Sequence, residues 1–171
     1  NNLVAQAIQA AAIEIGLPDG VFSSLNGQGY ELGAYLVKHD NVKAVAFTGS
    51  YGGGKALYDL AQTREVPIPV FSEMGSINPV VLLPEAIQQK SSSWANAYAG
   101  SITLGTGQFC TNPGLLLGIK SEALNKFVAQ LSDEIEKVAP SCMLHPAILK
   151  NFTNGKTELQ QQAGVKTVAE I

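Results

Sequence analysis

Three short segments of the sequence combine small residues with side chains that could do chemistry. In the first, an apolar β-branched run at 42–47 leads into Thr48, Gly49 and Ser50, and three glycines follow at 52–54 before a helical pattern. Glycines let a ligand approach the backbone closely, and the amino end of a helix favours a phosphate group. The spacing does not match the dinucleotide pattern Gly-x-Gly-x-x-Gly, so a plain tight turn between strand and helix stays an equal alternative.

The second segment places Cys110 in a loop of small residues at 105–114, directly before a predicted strand. Such a loop can expose a thiol and present backbone N–H groups that stabilise a thiolate or an oxyanion. The alternative is a small buried hydrophobic side chain, which is the commoner structural role of a free cysteine.

The third segment, 71–74, places Glu73 between apolar residues, as at the end of a strand. Removal from water would disfavour the charged carboxylate and suit it to act as a base near neutral pH. A hydrated carboxylate at the end of a strand is the commoner case and remains the alternative.

The elements that must position these segments alternate between strand and helix. Apolar residues at helical spacing predict helices over residues 3–15, 30–38, 55–63, 91–103, 121–138 and 146–164. Short apolar runs predict strands over residues 21–25, 42–47, 79–83, 114–119 and 166–171. This alternation predicts an α/β fold of strand–helix units with a mostly parallel sheet. Two prolines within 66–70 are incompatible with a central strand and predict a domain boundary there.

The composition excludes several classes of protein. Of 171 residues, 46% are apolar and 15% are charged, which argues against disorder, and the net charge of −3 argues against a nucleic-acid partner. Apolar runs are too short for a membrane helix. Two cysteines are too few for a disulfide scaffold, so we expect a reduced, cytoplasmic setting. The sequence starts without Met and lacks a signal-peptide pattern, so we expect a segment of a longer protein.

Together the three segments resemble the aldehyde dehydrogenase superfamily. The resemblance rests on Phe-Thr-Gly-Ser at 47–50, Glu-Met-Gly-Ser-x-Asn-Pro at 73–79 and Gly-Gln-x-Cys-Thr at 107–111, which follow the family's order and similar separations. It extends from the first predicted helix to about Leu131. It implies that residues 1–72 are the C-terminal part of a Rossmann-like NAD(P)-binding domain. Residues 73–171 would then be the N-terminal part of the catalytic domain, which carries the thiol.

The resemblance implies a role for each candidate residue. Cys110 would attack the aldehyde carbon to form a thiohemiacetal, which becomes a thioester once hydride has passed to a nicotinamide, and its backbone N–H would be an oxyanion donor. Glu73 would be the general base that activates water for deacylation. The residues that would contact NAD or NADP come from two turns, 48–54 and 26–29, and are Gly49, Ser50, Gly54 and Gly27.

The resemblance also implies a small-molecule aldehyde, a semialdehyde, as substrate and a homo-oligomeric parent. Charge and apolar runs predict no nucleic-acid partner and no membrane segment, and the isolated His39 and His145 predict no metal site. Residues 58–79 together with 107–114 look most like the branch of the superfamily that oxidises 2-oxoglutarate semialdehyde. Gly75-Ser76-Ile77 departs from the family's frequent Gly-Gly-Lys, and Tyr-Gly-Gly-Gly after Ser50 departs from Thr-x-x-Gly. A relative that passes the acyl group to phosphate or coenzyme A, and an inactive module of the same fold, are the alternatives. The presence of Glu73 argues against the first, and the pair Cys110 and Glu73 against the second.

Overall fold

The structure is a computed structural model that describes residues 1–27 and 30–170. Its contacts divide the chain into two compact units, Asn1–Met74 and Gly75–Ile171. Each unit contains helices and a pair of parallel strands. The predicted α/β class with parallel strand–helix units is therefore confirmed.

The described part of the first unit contains a parallel strand pair with a helix as its crossover. The elements are α1 (Asn2–Glu14), α2 (Glu31–Lys38), β1 (Val45–Thr48), α3 (Tyr51–Gln62) and β2 (Val70–Glu73). The two strands pair from Val45 opposite Val70 to Thr48 opposite Glu73. Parallel neighbours require a long crossover, and α3 provides it. One apolar cluster contains buried side chains from α2, α3 and the segment before β2. They are Val37, Ala61 and Ile68.

The second unit repeats this arrangement with longer helices. Its elements are β3 (Pro79–Leu82), α4 (Pro84–Thr103), a short 3₁₀ segment (Leu104–Gly107), β4 (Leu115–Gly118), α5 (Glu122–Glu136) and α6 (Pro146–Gln160). β3 and β4 are parallel, with Pro79 opposite Leu115. Helix α5 begins where Ser121 accepts a hydrogen bond from the Leu124 N–H at 3.2 Å, and its apolar side packs against α4. The buried residues of this cluster are Leu82, Ile87, Ala95, Ala99, Phe127 and Leu131.

Several predicted elements differ from the structure. Residues 21–25 are irregular and form no strand, and residues 166–170 form none either, because neither segment finds a partner strand among the described residues. Helix α3 starts at Tyr51 rather than residue 55, since Ser50 caps it and the glycines enter its first turn. Helix α4 starts at Pro84 rather than residue 91, and Lys90 interrupts it with φ −130°.

The strand pair of the first unit is buried on one face only, whereas the apolar run at 42–47 predicts a fully buried strand. Val45 and Val70 pack towards the apolar cluster of this unit, and Phe71 points the other way with 67% of its surface exposed. Helix α3 covers the face of the sheet that carries Val45 and Val70. No described element of the unit covers the opposite face, on which Phe71 lies. Parallel strands are normally covered on both faces.

Candidate active site

The carboxyl ends of β1 and β2 bring three of the predicted site residues together. Thr48 lies opposite Glu73, and the N–H of Gly49 donates a hydrogen bond to the Glu73 carbonyl oxygen at 3.0 Å. Ser50 follows directly as the residue that caps α3. In open α/β sheets this edge is where ligands bind, so Gly49, Ser50 and Glu73 occupy one potential ligand edge of the first unit.

The amino end of α3 offers backbone donors at that edge. The Ser50 hydroxyl accepts a hydrogen bond from the Gly53 N–H at 3.2 Å, and the Ser50 carbonyl accepts one from the Gly54 N–H at 3.0 Å. Within residues 1–27 and 30–170, no acceptor takes the N–H of Tyr51 or Gly52. Free N–H groups and the positive end of the helix dipole together favour an anionic group such as a phosphate.

Two of the predicted cofactor-binding glycines also have a packing reason to be glycine. A Cβ on Gly54, which is buried, would lie 2.7 Å from the Met74 sulfur, and a Cβ on Gly49 would lie 2.6 Å from Cζ of Phe47. Gly52 has open space instead, with nothing within 4 Å of such a Cβ. The close turn that the sequence left as an alternative therefore contributes to the choice of glycine here.

The sequence predicts Gly27 in a turn between a strand and a helix, but the structure has no strand before it. Because residues 21–27 are irregular, no strand leads into this position, and a Cβ on Gly27 would lie 3.1 Å from Cδ2 of Leu32 in α2. The rest of the predicted turn, Gln28 and Gly29, lies outside the described residues.

The Glu73 side chain is exposed, which corrects the expectation that its apolar neighbours bury it. Burial alternates along β2, so Val70 and Ser72 are turned inward while Phe71 and Glu73 are turned outward. The strand's outward face is the one on which Phe71 is exposed. Within the first unit Glu73 is thus a hydrated carboxylate at a strand end.

Cys110 is an exposed free thiol in a tight turn of the second unit. The turn is closed by a hydrogen bond from the Asn112 N–H to the Phe109 carbonyl at 3.0 Å, so Cys110 and Thr111 are its two central residues. No acceptor among the described residues takes the N–H of Cys110 or Thr111. The expectation of an exposed thiol beside free backbone donors agrees with this geometry, and the buried alternative does not.

Two residues that received no role from the sequence hold this turn. The side-chain amide of Asn78 donates to the carbonyl oxygens of Cys110 at 2.8 Å and Asn112 at 3.0 Å, and the Ser76 hydroxyl also donates to the Cys110 carbonyl. The sequence contains one signal, because Asn tolerates the left-handed backbone region better than other residues with a Cβ, although the proline that follows favours extended backbone. Asn78 indeed has φ +49°.

The chain that leads into Cys110 turns through three consecutive left-handed residues. Gly105, Thr106 and Gly107 have φ values of 58°, 59° and 70°. The β-branched Thr106 is strained in this region, and its hydroxyl lies 2.9 Å from the Ser141 hydroxyl. Gln108 accepts a hydrogen bond from the Leu144 N–H at 3.1 Å, so the segment after α5 anchors this turn.

Helix α4 fixes the other end of the loop. The Tyr98 hydroxyl donates to the carbonyl of Pro113, which is buried, and Asn112 donates from its side chain to the Ile102 carbonyl at 2.8 Å. Burial raises the pKa of Tyr98, so the phenol stays protonated and remains a donor across the ordinary pH range. The loop is therefore held at both ends, while the thiol stays accessible.

The described residues were also searched for other kinds of site. Within 1–27 and 30–170, no group of three or more His, Cys, Asp and Glu side chains could hold a metal ion. No helix in the same ranges combines the length and apolarity needed to span a bilayer.

Comparison with known proteins settles the family. The model of the aldehyde dehydrogenase family matches residues 1–151. The chain belongs to the aldehyde dehydrogenase family. The predicted resemblance is confirmed, and Glu73 and Cys110 both lie within the matched residues, the first in one compact unit and the second in the other.

Among the aldehyde dehydrogenases, the chain is similar to two bacterial α-ketoglutaric semialdehyde dehydrogenases. It is 44% identical to one from Acinetobacter baylyi, over 98% of this chain and 31% of that protein. It is also 44% identical to a second from Azospirillum brasilense, over 98% of this chain and 32% of that protein. The predicted resemblance to that branch is confirmed by this similarity. The chain spans about a third of the length of these relatives.

The fold agrees with a solved aldehyde dehydrogenase structure. A γ-glutamyl-γ-aminobutyraldehyde dehydrogenase from Burkholderia cenocepacia matches with a TM-score of 0.78 and 26% identity, over 98% of this chain and 35% of that chain. The helices and parallel strands described above are therefore those of a part of this family's fold.

Proposed function

We propose that the protein carrying this chain is an NAD(P)-dependent dehydrogenase that oxidises 2-oxoglutarate semialdehyde to the dicarboxylic acid. The observation that carries the proposal is the 44% identity, across nearly the whole chain, to two α-ketoglutaric semialdehyde dehydrogenases. α-Ketoglutaric semialdehyde is another name for 2-oxoglutarate semialdehyde. The exposed Cys110 thiol, beside two backbone N–H groups without an acceptor among the described residues, supports a covalent mechanism.

Cys110 is the proposed nucleophile. Its thiolate attacks the aldehyde carbon, and the carbonyl oxygen becomes an oxyanion that the free Cys110 N–H stabilises with a hydrogen bond. Bound NAD or NADP would supply the acceptor for the hydride that leaves this carbon. The carbon attached to Cys110 then has the oxidation level of a thioester.

Glu73 is the proposed base for deacylation. An exposed carboxylate can take a proton from water as the water attacks the thioester carbonyl, which releases the acid and restores the thiol of Cys110. The exposure of Glu73 supports a role in which its partner is water.

The residues proposed to contact NAD or NADP are Gly49, Ser50 and Gly54, with Gly27 as a further contact. The donors that suit a pyrophosphate are the N–H groups of Tyr51 and Gly52, with no acceptor among the described residues, at the amino end of α3. Gly52 has open space where a side chain would be, which supports close approach of a ligand to the backbone. We assign residues 1–72 to the cofactor domain and residues 73–171 to the catalytic domain.

A homo-oligomer in the cytoplasm is also part of the proposal. Large apolar side chains on the strands are exposed, including 67% of Phe71 and 64% of Val81, and a partner subunit or further chain can cover such surface. Free thiols at Cys110 and Cys142 suit a reducing compartment. Light scattering of the purified protein tests the oligomer.

The test of the function is an absorbance assay of the protein expressed from its complete reading frame. We expect 2-oxoglutarate semialdehyde to drive formation of NADH or NADPH at a rate that coenzyme A leaves unchanged. Benzaldehyde provides a comparison substrate without a carboxylate. If formation of reduced cofactor required coenzyme A or phosphate, the enzyme would transfer the acyl group to that acceptor and would not hydrolyse the thioester. The absence of any reduced cofactor would refute the proposal.

A further inference from the structure

The carbonyl oxygen of Cys110 accepts hydrogen bonds from two side chains that precede β3. The Asn78 amide donates to it at 2.8 Å, and the Ser76 hydroxyl donates to the same oxygen. The Asn78 amide also donates to the carbonyl of Asn112 at 3.0 Å, so a single side chain joins two positions of the Cys110 turn. The 76–78 segment and the turn are therefore tied together by three hydrogen bonds.

The backbone of Asn78 is in a conformation that most side chains avoid. Its φ of +49° lies in the left-handed region, where Asn is tolerated better than other residues with a Cβ. The next segment is tied as well, because the Gly114 N–H donates to the Ile77 carbonyl at 2.9 Å. Both Ile77 and Asn78 are therefore hydrogen-bonded to the segment 110–114 that contains the cysteine turn.

Holding the Cys110 carbonyl fixes more than one atom. The Cys110 C=O and the Thr111 N–H belong to the same planar amide, so the donors that fix the oxygen also fix the direction of that N–H. Hydrogen bonds to the oxygen polarise the amide and strengthen its N–H as a donor. No described residue accepts from this N–H or from the N–H of Cys110. Both donors therefore remain available to charge that develops beside the thiol.

We propose that Ser76 and Asn78 are positioning residues for Cys110, which hold its carbonyl so that the thiol and the adjacent N–H groups are oriented for attack. The proposal rests on the proposed role of Cys110 as the nucleophile. The Ser76 hydroxyl and the Asn78 amide are separate donors to that carbonyl, so each can be replaced by itself.

The first test compares Ser76→Ala with Ser76→Thr, using Ser92→Ala as the control. Ser92 is an exposed serine of α4 whose hydroxyl has no partner among the described residues. Ser76→Ala removes the bond to the Cys110 carbonyl and the bond that the hydroxyl accepts from the Asn78 amide at 3.2 Å. We expect the pre-steady-state burst of reduced cofactor to slow by at least about threefold, with an unchanged KM for the cofactor. Ser76→Thr retains the hydroxyl and should restore the burst. Equal burst rates in parent and Ser76→Ala would overturn the role of Ser76.

The second test separates the side chain of Asn78 from its backbone conformation. Asn78→Gly permits a positive φ without strain and removes the amide, whereas Asn78→Asp keeps the shape and replaces the donor with a carboxylate that repels the Cys110 carbonyl. We expect the burst to slow at least tenfold in both. A parental burst in Asn78→Gly would mean that only the backbone conformation matters, which would overturn the role of the amide.

A third measurement needs no aldehyde oxidation. In a Cys142→Ser background, alkylation by iodoacetamide reports on Cys110 as the single remaining thiol of this chain, and peptide mass spectrometry locates the label. We expect alkylation to be at least threefold slower in Ser76→Ala and Asn78→Gly and to recover in Ser76→Thr. Equal or faster alkylation would refute the positioning role. A protein that forms no reduced cofactor but shows this alkylation pattern would refute the proposed function alone.

Discussion

Thr48 and Glu73 lie opposite each other at the carboxyl ends of two parallel strands, and the residue after Thr48 donates its N–H to the Glu73 carbonyl at 3.0 Å. The turn proposed to hold the cofactor and the proposed base therefore share one sheet edge through backbone bonds. Substitution of either side chain leaves this backbone connection in place. The chemical roles of the side chains can thus be tested separately from the edge that carries them.

Replacement of the proposed nucleophile should abolish aldehyde oxidation. In the protein from its complete reading frame, Cys110→Ala removes the only atom proposed to form a covalent bond with the aldehyde. We expect the steady-state rate to fall by at least 10³-fold, in the range lost when a nucleophile is removed. The assay is formation of reduced cofactor with 2-oxoglutarate semialdehyde.

The matched control for the nucleophile is the second exposed cysteine. Cys142 contributes only its backbone carbonyl to the loop, as an acceptor from Thr106 at 3.3 Å, so Cys142→Ala should leave the rate within about twofold of the parent, since surface substitutions of this kind cost little. Activity of Cys110→Ala within tenfold of the parent, or a large loss in Cys142→Ala, would show that the nucleophile has been assigned wrongly.

Replacement of the proposed base should separate acylation from hydrolysis. Glu73→Gln keeps the size of the side chain and removes its ability to take a proton from water. We expect a rapid burst of reduced cofactor of about one equivalent per site, followed by a steady rate at least tenfold below the parent. Stopped-flow absorbance measures both phases. Steady turnover equal to the parent would show that another group activates water.

A pair of glycines in α3 tests whether packing contributes to the glycine-rich turn. A Cβ at Gly54 would lie 2.7 Å from the Met74 sulfur, whereas a Cβ at Gly52 meets nothing within 4 Å. Overpacking of this kind costs about 1–3 kcal/mol, while replacing a helical glycine with alanine gains at most about 1 kcal/mol. Gly54→Ala should therefore lower the unfolding temperature of the protein, and Gly52→Ala should keep or raise it. The reverse order in a thermal melt would contradict the packing at Gly54.

The sequence predicts most of the elements that carry the site, because local apolar spacing determines them. The helix from Ser121 is an example: its cap and its apolar stripe both depend on residues within one segment. The run at 21–25 shows the limit, since a short apolar run forms a strand only when a neighbouring strand pairs with it. The glycines at 52–54 show a second limit of prediction from local patterns. They form the first turn of α3 because Ser50 caps the helix before them.

Within the candidate site, the sequence predicts residues with distinctive chemistry and misses those that hold them. Cys110 and Glu73 are conspicuous because thiols and carboxylates react. Asn78 contacts Cys110 across 32 positions of sequence, through backbone carbonyls that any residue would provide. No local pattern of residue types carries that contact, and only the pairing of β3 with β4 brings the two segments together.

The last prediction concerns the contact between α4 and α5, the two helices that share the apolar cluster of the second unit. Glu134 of α5 accepts hydrogen bonds at 2.6 Å from Lys137, the residue that follows this helix, and from Asn96 on α4. The Lys137 ammonium, followed by the Asn96 amide, lowers the pKa of Glu134. A carboxyl group with a lowered pKa in the folded state stabilises the fold above its unfolded pKa, about 4.3 for glutamate, and this contribution is lost as the pH falls through the folded value.

Glu134→Gln should therefore lower the midpoint of urea unfolding at pH 7 by a small amount, and the difference from the parent should shrink as the pH falls below about 4.3. The control is Glu136→Gln, which removes the same charge from an exposed site on α5 with no ion pair among the described residues. We expect the control to show a smaller difference at pH 7, because it breaks no bond between the helices. A difference for Glu134→Gln that grows towards acid pH would reverse the sign required by the lowered pKa. It would exclude the charged form of Glu134 as the one that joins the helices.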